Sequence, residues 1–489
     1  MMGDVAGQHG LFAVGADQHA HVARRVAGGG DQGHFLAQPV IACHQDGEPA
    51  RHDRPHRVLE HGPVLAGRAV RGPVVVLVLA EHVAGLGEGR HPLAAGQRRI
   101  PADMVDVQMR AQHGVDAVRR IAGGGEIAPA VKADAYGHGA AACAHAALAA
   151  GANRLGVARI EEGLALRRAG ITRPILVLGP PNPQLLGPAL RAGLSLSVGT
   201  PRVARLVAEA AAELGVRAAV HLEIDTGMRR YGLEPDVAVD VARMAASGSD
   251  LQIEGVYSHF ATADEASDRF AHEQAGRFAA VWEALRRFGV TPPYVHLANS
   301  AATLRPVPIQ LDGSVTVVQR VGLALYGLSP SASVPVPPAF RPVMTLKTRL
   351  ARVFNLAAGE GVSYGLTYVT ERPVRCATVP VGYGDGLPLR LSNHGWLAID
   401  GAACPIRGRV CMDQTVIEVD GAGAVAEGDE AVVFGPAPGA MTVDDVARLA
   451  GTINYEVVTA VAARVPRIYL EHGRPVAIAD LEGLERTTS

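Results

Sequence analysis

The sequence predicts an α/β protein in which a (β/α)8 TIM-like barrel is followed by a mostly β C-terminal domain. From about residue 103, short apolar runs alternate with stretches of helical period that are rich in Ala, Leu and Arg. This alternation is typical of parallel βα units, and eight such units close a barrel. Beyond residue 345 the helical stretches give way to short apolar segments broken by Gly and Pro, which indicates a second, β-rich domain.

The predicted barrel strands lie at regular spacing, and most of them are separated by helices such as "EEGLALRRAG" and "PRVARLVAEAAAELG", which end in the helix-stop residue Gly. An open doubly wound sheet is the alternative, but no G-x-G-x-x-G motif follows an early strand. The eight runs cover residues 126–131, 154–158, 174–178, 194–198, 218–224, 251–257, 294–298 and 315–319. In the second domain, helices are predicted after Thr442 as N-cap and around "INYEVVTAVAARV".

Residues 1–103 form an extension to which no function is assigned. The segment has no regular helical or strand period, and disorder, loose structure and an overextended reading frame with Met104 as the start remain open. Its histidine-rich stretch "RHDRPHRVLEHGP" (51–63) lacks the spacing of metal ligands, because Pro55 separates His52 from His56. No metal site is therefore predicted.

Composition excludes several classes of function. The formal net charge is −2, which gives no reason to expect nucleic acid as a partner. The apolar run at 73–80 is too short to span a membrane, so no membrane partner is expected either. The five cysteines are widely spaced without a C-x-x-C motif, and a reducing, cytoplasmic location is the simplest interpretation.

In a barrel of this class, the active site lies at the C-terminal ends of the strands. Polar residues directly follow several of the predicted strands at these ends. They are Lys132, Arg159, Asp225, His259, Asn299 with Ser300, and Arg320. Lys132, in "AVKADAYGHGA", is one of only two lysines, beside Lys347. A partly desolvated lysine can form an imine with an aldehyde, which would give Lys132 a role in chemistry. Alternatively, Lys132 forms an ion pair at the rim of the barrel and has a structural role.

Nine ordered motifs across residues 104–475 resemble those of alanine racemases, which depend on pyridoxal 5'-phosphate (PLP). The resemblance implies a PLP-binding barrel over 104–345, a β-rich domain over 346–489, and a homodimer with shared active sites. It also implies interconversion of L- and D-alanine for peptidoglycan. The motifs are "KADAYGHG", "HLEIDTGMRRYG", "EGVYSHFATADE", "HLANSAATL", "RVGLALYGLSP", "GVSYGLTY", "VGYGDGLPL", "GRVCMDQ" and "INYEVVTAVAARVPRIY".

The same resemblance implies roles for individual residues. Lys132 would carry PLP as an aldimine and act as one base, and Tyr364 from the partner subunit would act as the base on the opposite face. Arg320 would point at the pyridine nitrogen, with His259 near Arg320 and the tyrosine. The phosphate would be held by Tyr136, Ser300, Gly322, Leu323 and Tyr455. The substrate would meet Arg230, Met412, Asp413 and Tyr383.

Three positions depart from the family pattern. Glu223 stands where a carbamylated lysine is common, and it is expected to pair with Arg230 as a ready-made anion. Gly384 replaces the usual Ala in "GYGDG". Arg229 replaces a common Gly in "GMRRYG", which is expected to add a charge near the phosphate.

Two other functions are weighed against alanine racemisation. One is a broader amino-acid racemase or a decarboxylase on a related barrel, which trials with serine and lysine would distinguish. The other is a PLP-carrier protein, which would have little use for a second base or for a β domain carrying "VSYG" and "CMDQ". A serine racemase fused to a membrane domain is disfavoured by the lack of long apolar runs.

Overall fold

The computed structural model describes residues 74–80, 108–248, 250–311, 315–471, 474–480 and 483–486. All of these residues fall within one compact unit, Pro63–Ser489. Among the helices described, none is long and apolar enough to cross a membrane. The histidine-rich stretch at 51–63 and the candidate start at Met104 lie outside the described residues.

Eight parallel strands form the predicted barrel. In the sheet, the first strand lies beside the eighth, and the others follow in reverse chain order from the seventh to the second. A parallel bridge between Ala130 and Gly156 joins the first strand's extension to the second strand and closes the ring. The strands are Glu126–Ile127, Leu155–Val157, Ile175–Val177, Ser195–Val198, Ala218–Glu223, Leu251–Tyr257, Tyr294–His296 and Thr316–Gln319.

Helices surround the barrel and follow from local sequence signals. In Pro201–Leu214, the Thr200 side chain accepts a hydrogen bond from the Val203 N–H, and Gly215 ends the helix in the left-handed conformation. The apolar face of this helix is buried against the sheet, as its period requires. The helices of the barrel region are Gln108–Ile121, Ala140–Ala149, Ile160–Arg168, Leu186–Arg191, Pro201–Leu214, Pro235–Ser247, Arg269–Arg287 and Ser300–Leu304.

The C-terminal domain is built mainly from β-strands, as predicted. An eight-stranded sheet contains, in spatial order, Ala402–Pro405, Trp396–Ile399, Glu430–Phe434, Met344–Arg349, Val74–Ala80, Arg467–Glu471, Arg474–Asp480 and Gly483–Arg486. Two smaller sheets contain Arg352–Leu356, Val374–Val379 and Thr415–Glu418, and Gly361–Val362 with Tyr368–Val369. Both predicted helices are present, as Val443–Ala450, with Thr442 as its N-cap, and Asn454–Thr459.

One part of the N-terminal extension differs from expectation. No structural role is predicted for the apolar run at 73–80, yet Val74–Ala80 forms a strand inside the large C-terminal sheet. This strand runs antiparallel to Met344–Arg349 and parallel to Arg467–Glu471. A short run of β-branched residues is ambiguous without its partners, and both partners lie more than 250 residues further along the chain.

Candidate active site

The residue at the centre of the site, Lys132, directly precedes a left-handed turn. Ala133, Asp134, Ala135 and Tyr136 have φ angles of 50°, 52°, 54° and 55°, and Gly137 continues the turn at 79°. Each non-glycine residue in this conformation costs roughly 1–2 kcal/mol, so surrounding contacts must hold the turn in place. The turn ends the first barrel unit and positions Lys132 at the mouth of the barrel.

Contacts from other parts of the chain hold the turn. The Glu162 carboxylate accepts a hydrogen bond of 2.7 Å from the Ala133 N–H at its start. At its end, the buried Arg467 of the C-terminal domain donates from Nε and Nη2 to the Gly137 carbonyl, at 3.3 and 3.2 Å. A Cβ atom at Gly137 would lie 2.0 Å from the Val458 carbonyl oxygen, so this close approach requires glycine.

Lys132 lines a cavity of about 160 Å³ at the C-terminal end of the barrel strands. Of the polar residues predicted to converge there, five line the cavity. Arg159 and Asp225 do not: Arg159 is exposed, and Asp225 accepts hydrogen bonds from the backbone of the following loop. The lining residues are Ala130, Lys132, Tyr136, Leu178, Glu223, Arg230, Tyr257, His259, Asn299, Ser300, Arg320, Gly322 and Tyr455.

Arg320 forms the buried floor of this cavity. Its Nη1 donates to the His296 Nδ1 at 2.6 Å and to the His296 carbonyl at 2.7 Å. Its Nη2 donates to the Ser258 carbonyl at 2.7 Å and to the His259 Nδ1 at 3.1 Å. Guanidinium nitrogens only donate, so both histidines must accept at Nδ1 and carry their proton on Nε2. Burial and the charge of Arg320 hold the pKa of His259 and of His296 well below the ordinary histidine value.

The neutral state of His259 determines what it can offer to a tyrosine base. The ring carries no charge and offers a hydrogen-bond donor at Nε2. Behind it, the His296 Nε2 donates to the His221 Nδ1 at 2.8 Å. The His221 Nε2 in turn lies 3.8 Å from a carboxylate oxygen of Glu254. His296 and His221 thus form a buried row of contacts that leads from Arg320 towards Glu254.

Hydroxyl groups and backbone amides gather at one end of the cavity. The Ser300 Oγ accepts hydrogen bonds from the Gly322 N–H at 3.0 Å and the Ala324 N–H at 3.3 Å. A Cβ at Gly322 would lie 2.3 Å from the Tyr136 hydroxyl, so glycine allows this hydroxyl to approach. Among the described residues, the intervening Leu323 N–H has no recorded acceptor. Such a group of O–H and N–H donors is suited to a phosphate.

Lys132 and Glu223 both have pKa values shifted by burial. Burial, followed by the charges of Arg230 and Arg320, lowers the pKa of the Lys132 amine. Burial raises the pKa of the Glu223 carboxyl, while Tyr257, Arg320 and Arg230 act in the opposite direction. The expectation that Glu223 pairs with Arg230 is wrong for the described residues, whose ion pairs do not include this one. Arg230 acts on the Glu223 carboxyl through its charge and not through a direct contact.

The other predicted site residues of the C-terminal domain do not line this cavity. Tyr364 is 73 % exposed, Met412 54 % and Tyr383 46 %. Hydrogen bonds from the Tyr383 N–H to the Cys411 carbonyl and from the Gly384 N–H to the Met412 carbonyl hold two of their loops together. Asp413 accepts a 2.7 Å hydrogen bond from Arg464. Among the described residues of this domain, Tyr455 alone lines the cavity.

The structure shows the surroundings of two departures from the family pattern, Gly384 and Arg229. A Cβ at Gly384 would lie 2.6 Å from an Arg464 nitrogen, so glycine leaves room for the guanidinium that engages Asp413. Arg229 has a φ of 57°, a conformation that favours the glycine common at this position. Its side chain is exposed and forms ion pairs with Asp225 and Glu234. The expectation that Arg229 adds charge near the phosphate end is wrong, because it does not line the cavity.

Several residues of the site carried no assignment from sequence. Tyr257 and His296 stack with ring centroids 4.7 Å apart, and Arg320 lies 5.1 Å from the centroid of the Tyr257 ring. Polar residues inside otherwise apolar barrel strands were the available signal, since such positions point into the barrel. Glu162 holds the turn after Lys132. From sequence alone it is recognisable only as an acidic residue in the first turn of a helix.

Comparison with known proteins gives a consistent set of relatives. The profile of the alanine racemase N-terminal domain matches residues 108–330, and that of the C-terminal domain matches residues 343–469. The alanine racemase of Desulfovibrio desulfuricans is 42 % identical over 343 residues, which are 70 % of this chain and 91 % of that protein. The alanine racemase of Thermobifida fusca is 41 % identical over 353 residues, covering 71 % and 92 %.

Solved structures agree. Alanine racemase from Bacillus anthracis with bound L-Ala-P superposes with a TM-score of 0.72 at 33 % identity, covering 85 % of this chain and 99 % of that one. Alanine racemase from Streptomyces coelicolor gives a TM-score of 0.70 at 35 % identity, covering 82 % and 98 %.

Proposed function

The chain belongs to the alanine racemase family, and from this membership we propose that it racemises alanine with PLP on Lys132, using Lys132 and Tyr364 as opposing bases. The observation that carries the proposal is the cavity in which a partly buried lysine, a buried arginine and a phosphate-sized group of donors converge. The family itself consists of isomerases, and its fold is the barrel with the β domain found here.

The residues around the cavity fit PLP. Lys132 has no recorded hydrogen bond or ion pair within the described residues, and its pKa is lowered by burial, so its amine is available to bind an aldehyde. Tyr136, Ser300, Tyr455 and the Leu323 N–H would hold the phosphate at the opposite end. When bound, PLP supplies an electron sink for negative charge at the substrate Cα.

Arg320 and His259 would set the electrostatics of the cofactor ring. All recorded hydrogen bonds of the Arg320 side chain to described residues use Nη1 or Nη2, which leaves Nε as the donor for a ring nitrogen. A guanidinium donates and does not give up its proton at neutral pH, so the ring nitrogen would stay unprotonated. Arg230 lines the same cavity and would orient the alanine carboxylate.

Lys132 would exchange the Cα proton on one face of the substrate, and Tyr364 on the other. Tyr364 does not line the cavity of its own chain and is 73 % exposed. It belongs to a C-terminal domain that also exposes other large apolar side chains, namely Leu366, Val369, Tyr383, Leu389, Met412 and Ile453. A second copy of the chain would cover these side chains and bring its Tyr364 to Lys132.

Subunit complementation tests the shared site. Lys132→Ala and Tyr364→Phe are each expected to be inactive in converting L-alanine to D-alanine, measured by chiral chromatography. Unfolding and refolding the two variants together gives mixed dimers with one intact site, which should restore about a quarter of the wild-type activity. If mixed dimers form and no activity is restored, both bases lie in one chain, and the shared site is refuted.

Cofactor loading is measured separately by visible absorbance after PLP is added. A chain that binds PLP without racemising alanine, serine or lysine would instead support the carrier function. D-Alanine made by this enzyme would serve peptidoglycan synthesis in the cytoplasm, and deletion of the gene should then make growth depend on added D-alanine, unless a second racemase is present.

A further inference from the structure

Glu162 makes a contact that its position in the helix does not explain. It lies in the first turn of helix Ile160–Arg168, where one carboxylate oxygen accepts from the Ala158 N–H at 2.7 Å and the Arg159 N–H at 3.0 Å. These contacts cap the helix in the ordinary way. The other oxygen accepts from the Ala133 N–H at 2.7 Å, although Ala133 is 29 residues earlier in the chain.

Ala133 is the first residue of the left-handed turn and directly follows Lys132. Within the turn, the recorded backbone hydrogen bonds start later, with the Ala135 N–H donating to the Val131 carbonyl. Glu162 therefore satisfies the donor at which the strained conformation begins. By binding Ala158 and Arg159 as well, the same carboxylate ties the residue after Lys132 to the end of the second barrel strand.

Glu162 also acts electrostatically on the lysine. Burial, Arg230 and Arg320 lower the pKa of the Lys132 amine, and Glu162 is the group that raises it. His259, which is neutral, and Glu223 also line the cavity with Lys132. The titratable and charged groups that line the cavity or act on Lys132 are Glu162, Glu223, Arg230, Arg320, His259, Tyr136, Tyr257 and Tyr455.

We propose that Glu162 is a positioning residue for Lys132, because its carboxylate holds the left-handed turn that presents the lysine to the cofactor and substrate. This inference rests on the proposed function, since it assumes that Lys132 is the reacting amine. Glu162 itself does not line the cavity and would touch neither cofactor nor substrate. Its effect would pass through the backbone at Ala133 and through its charge.

The variant Glu162→Gln tests the proposal, because an amide has only one acceptor oxygen where two are used. Glu161→Gln is the matched control, since Glu161 lies in the same first turn but is exposed. In the full chain, freed of cofactor with hydroxylamine, the rate of Lys132 acetylation by acetic anhydride is followed against pH by mass spectrometry. The chain has only two lysines, so the labelled peptide is unambiguous.

The midpoint of Lys132 acetylation is expected to move to lower pH in Glu162→Gln, because the charge that raises the lysine pKa is removed, and to stay unchanged in Glu161→Gln. With PLP bound, kcat for alanine should fall about 10- to 100-fold, as for a displaced reacting group. An unchanged midpoint would show that the Glu162 carboxylate does not act on the Lys132 amine, and would overturn the proposal whether or not kcat falls.

Circular dichroism and thermal unfolding show whether Glu162→Gln folds. If it does not, Glu162→Asp replaces it, because the shorter carboxylate can still cap its own helix but withdraws from Ala133. Because the anion is then moved away from the amine and not removed, the midpoint should move to lower pH by a smaller amount, and an unchanged midpoint would refute the proposal. The acetylation profile needs neither cofactor nor substrate, so a wild-type chain that fails to racemise alanine would refute the proposed function while this result still stands.

Discussion

Substituting alanine for glycine at two positions separates the cost of a left-handed backbone from the cost of close packing. Gly137 and Gly193 both have positive φ, at 79° and 60°. A Cβ at Gly137 would lie 2.0 Å from the Val458 carbonyl oxygen, whereas a Cβ at Gly193 would meet nothing within 4 Å. Both variants lose the freedom of glycine, but only Gly137→Ala requires the backbone around it to move.

The magnitudes follow from these two terms. The left-handed conformation costs an alanine roughly 1–2 kcal/mol, partly offset by about 0.4–1 kcal/mol from the stiffer unfolded chain. Gly193→Ala should therefore lower the free energy of unfolding by about 1 kcal/mol. Gly137→Ala should lose about 1–3 kcal/mol more, because the contact with Val458 must be relieved.

Urea denaturation measures the free energy of unfolding of both variants, and chiral chromatography measures their racemisation. Gly137→Ala should also lower kcat, since the displaced turn carries Lys132, whereas Gly193→Ala should keep wild-type kcat. Equal losses of stability in the two variants would refute the claim that close approach, and not φ alone, requires glycine at position 137.

Three further predictions concern single side chains. Arg229→Gly should be more stable than Arg229→Ala by about 1 kcal/mol in urea denaturation, because both lose the exposed ion pairs and only glycine relieves the positive φ; equal stabilities would contradict this. Burial lowers the pKa of His138 to about 4, so the folded state resists protonation of this ring. The neutral ring should therefore contribute about 3 kcal/mol to the free energy of unfolding above pH 6.5, and this contribution should be lost as the pH falls to about 4. His138→Phe should flatten the fall in unfolding free energy across that window, and an unchanged slope would argue against a buried neutral His138. Glu223→Gln should raise KM for alanine, increasingly at higher pH where the wild-type carboxyl is ionised, and an unchanged KM would show that this anion does not orient Arg230.

The barrel was predictable because its signals are local. All eight strands appear in the expected order, and their differences from the prediction are confined to their ends, as with the first strand, which stops at Ile127. Lys132, His259, Ser300 and Arg320 meet in one cavity because parallel strands end at the same face of a barrel.

The rest depended on contacts between distant parts of the chain. Nothing in "VVVLVLA" reveals that its partners are Met344–Arg349 and Arg467–Glu471, because β pairing is not encoded in a strand alone. The positive φ of four successive non-glycine residues opposes their intrinsic preference and is stable only with tertiary contacts. The neutral state of His259 likewise follows from the donor geometry of Arg320, which no spacing of residues reveals.

The contact between Arg467 and the Gly137 carbonyl makes the lysine turn a shared part of both domains. Separation of the β domain from the barrel would remove this support and release a strained segment, so the two domains should lose structure in one cooperative transition. The colour of bound PLP would then report on the integrity of the β domain as well as on its own pocket. On heating, loss of the visible band should coincide with loss of the β-sheet signal in circular dichroism.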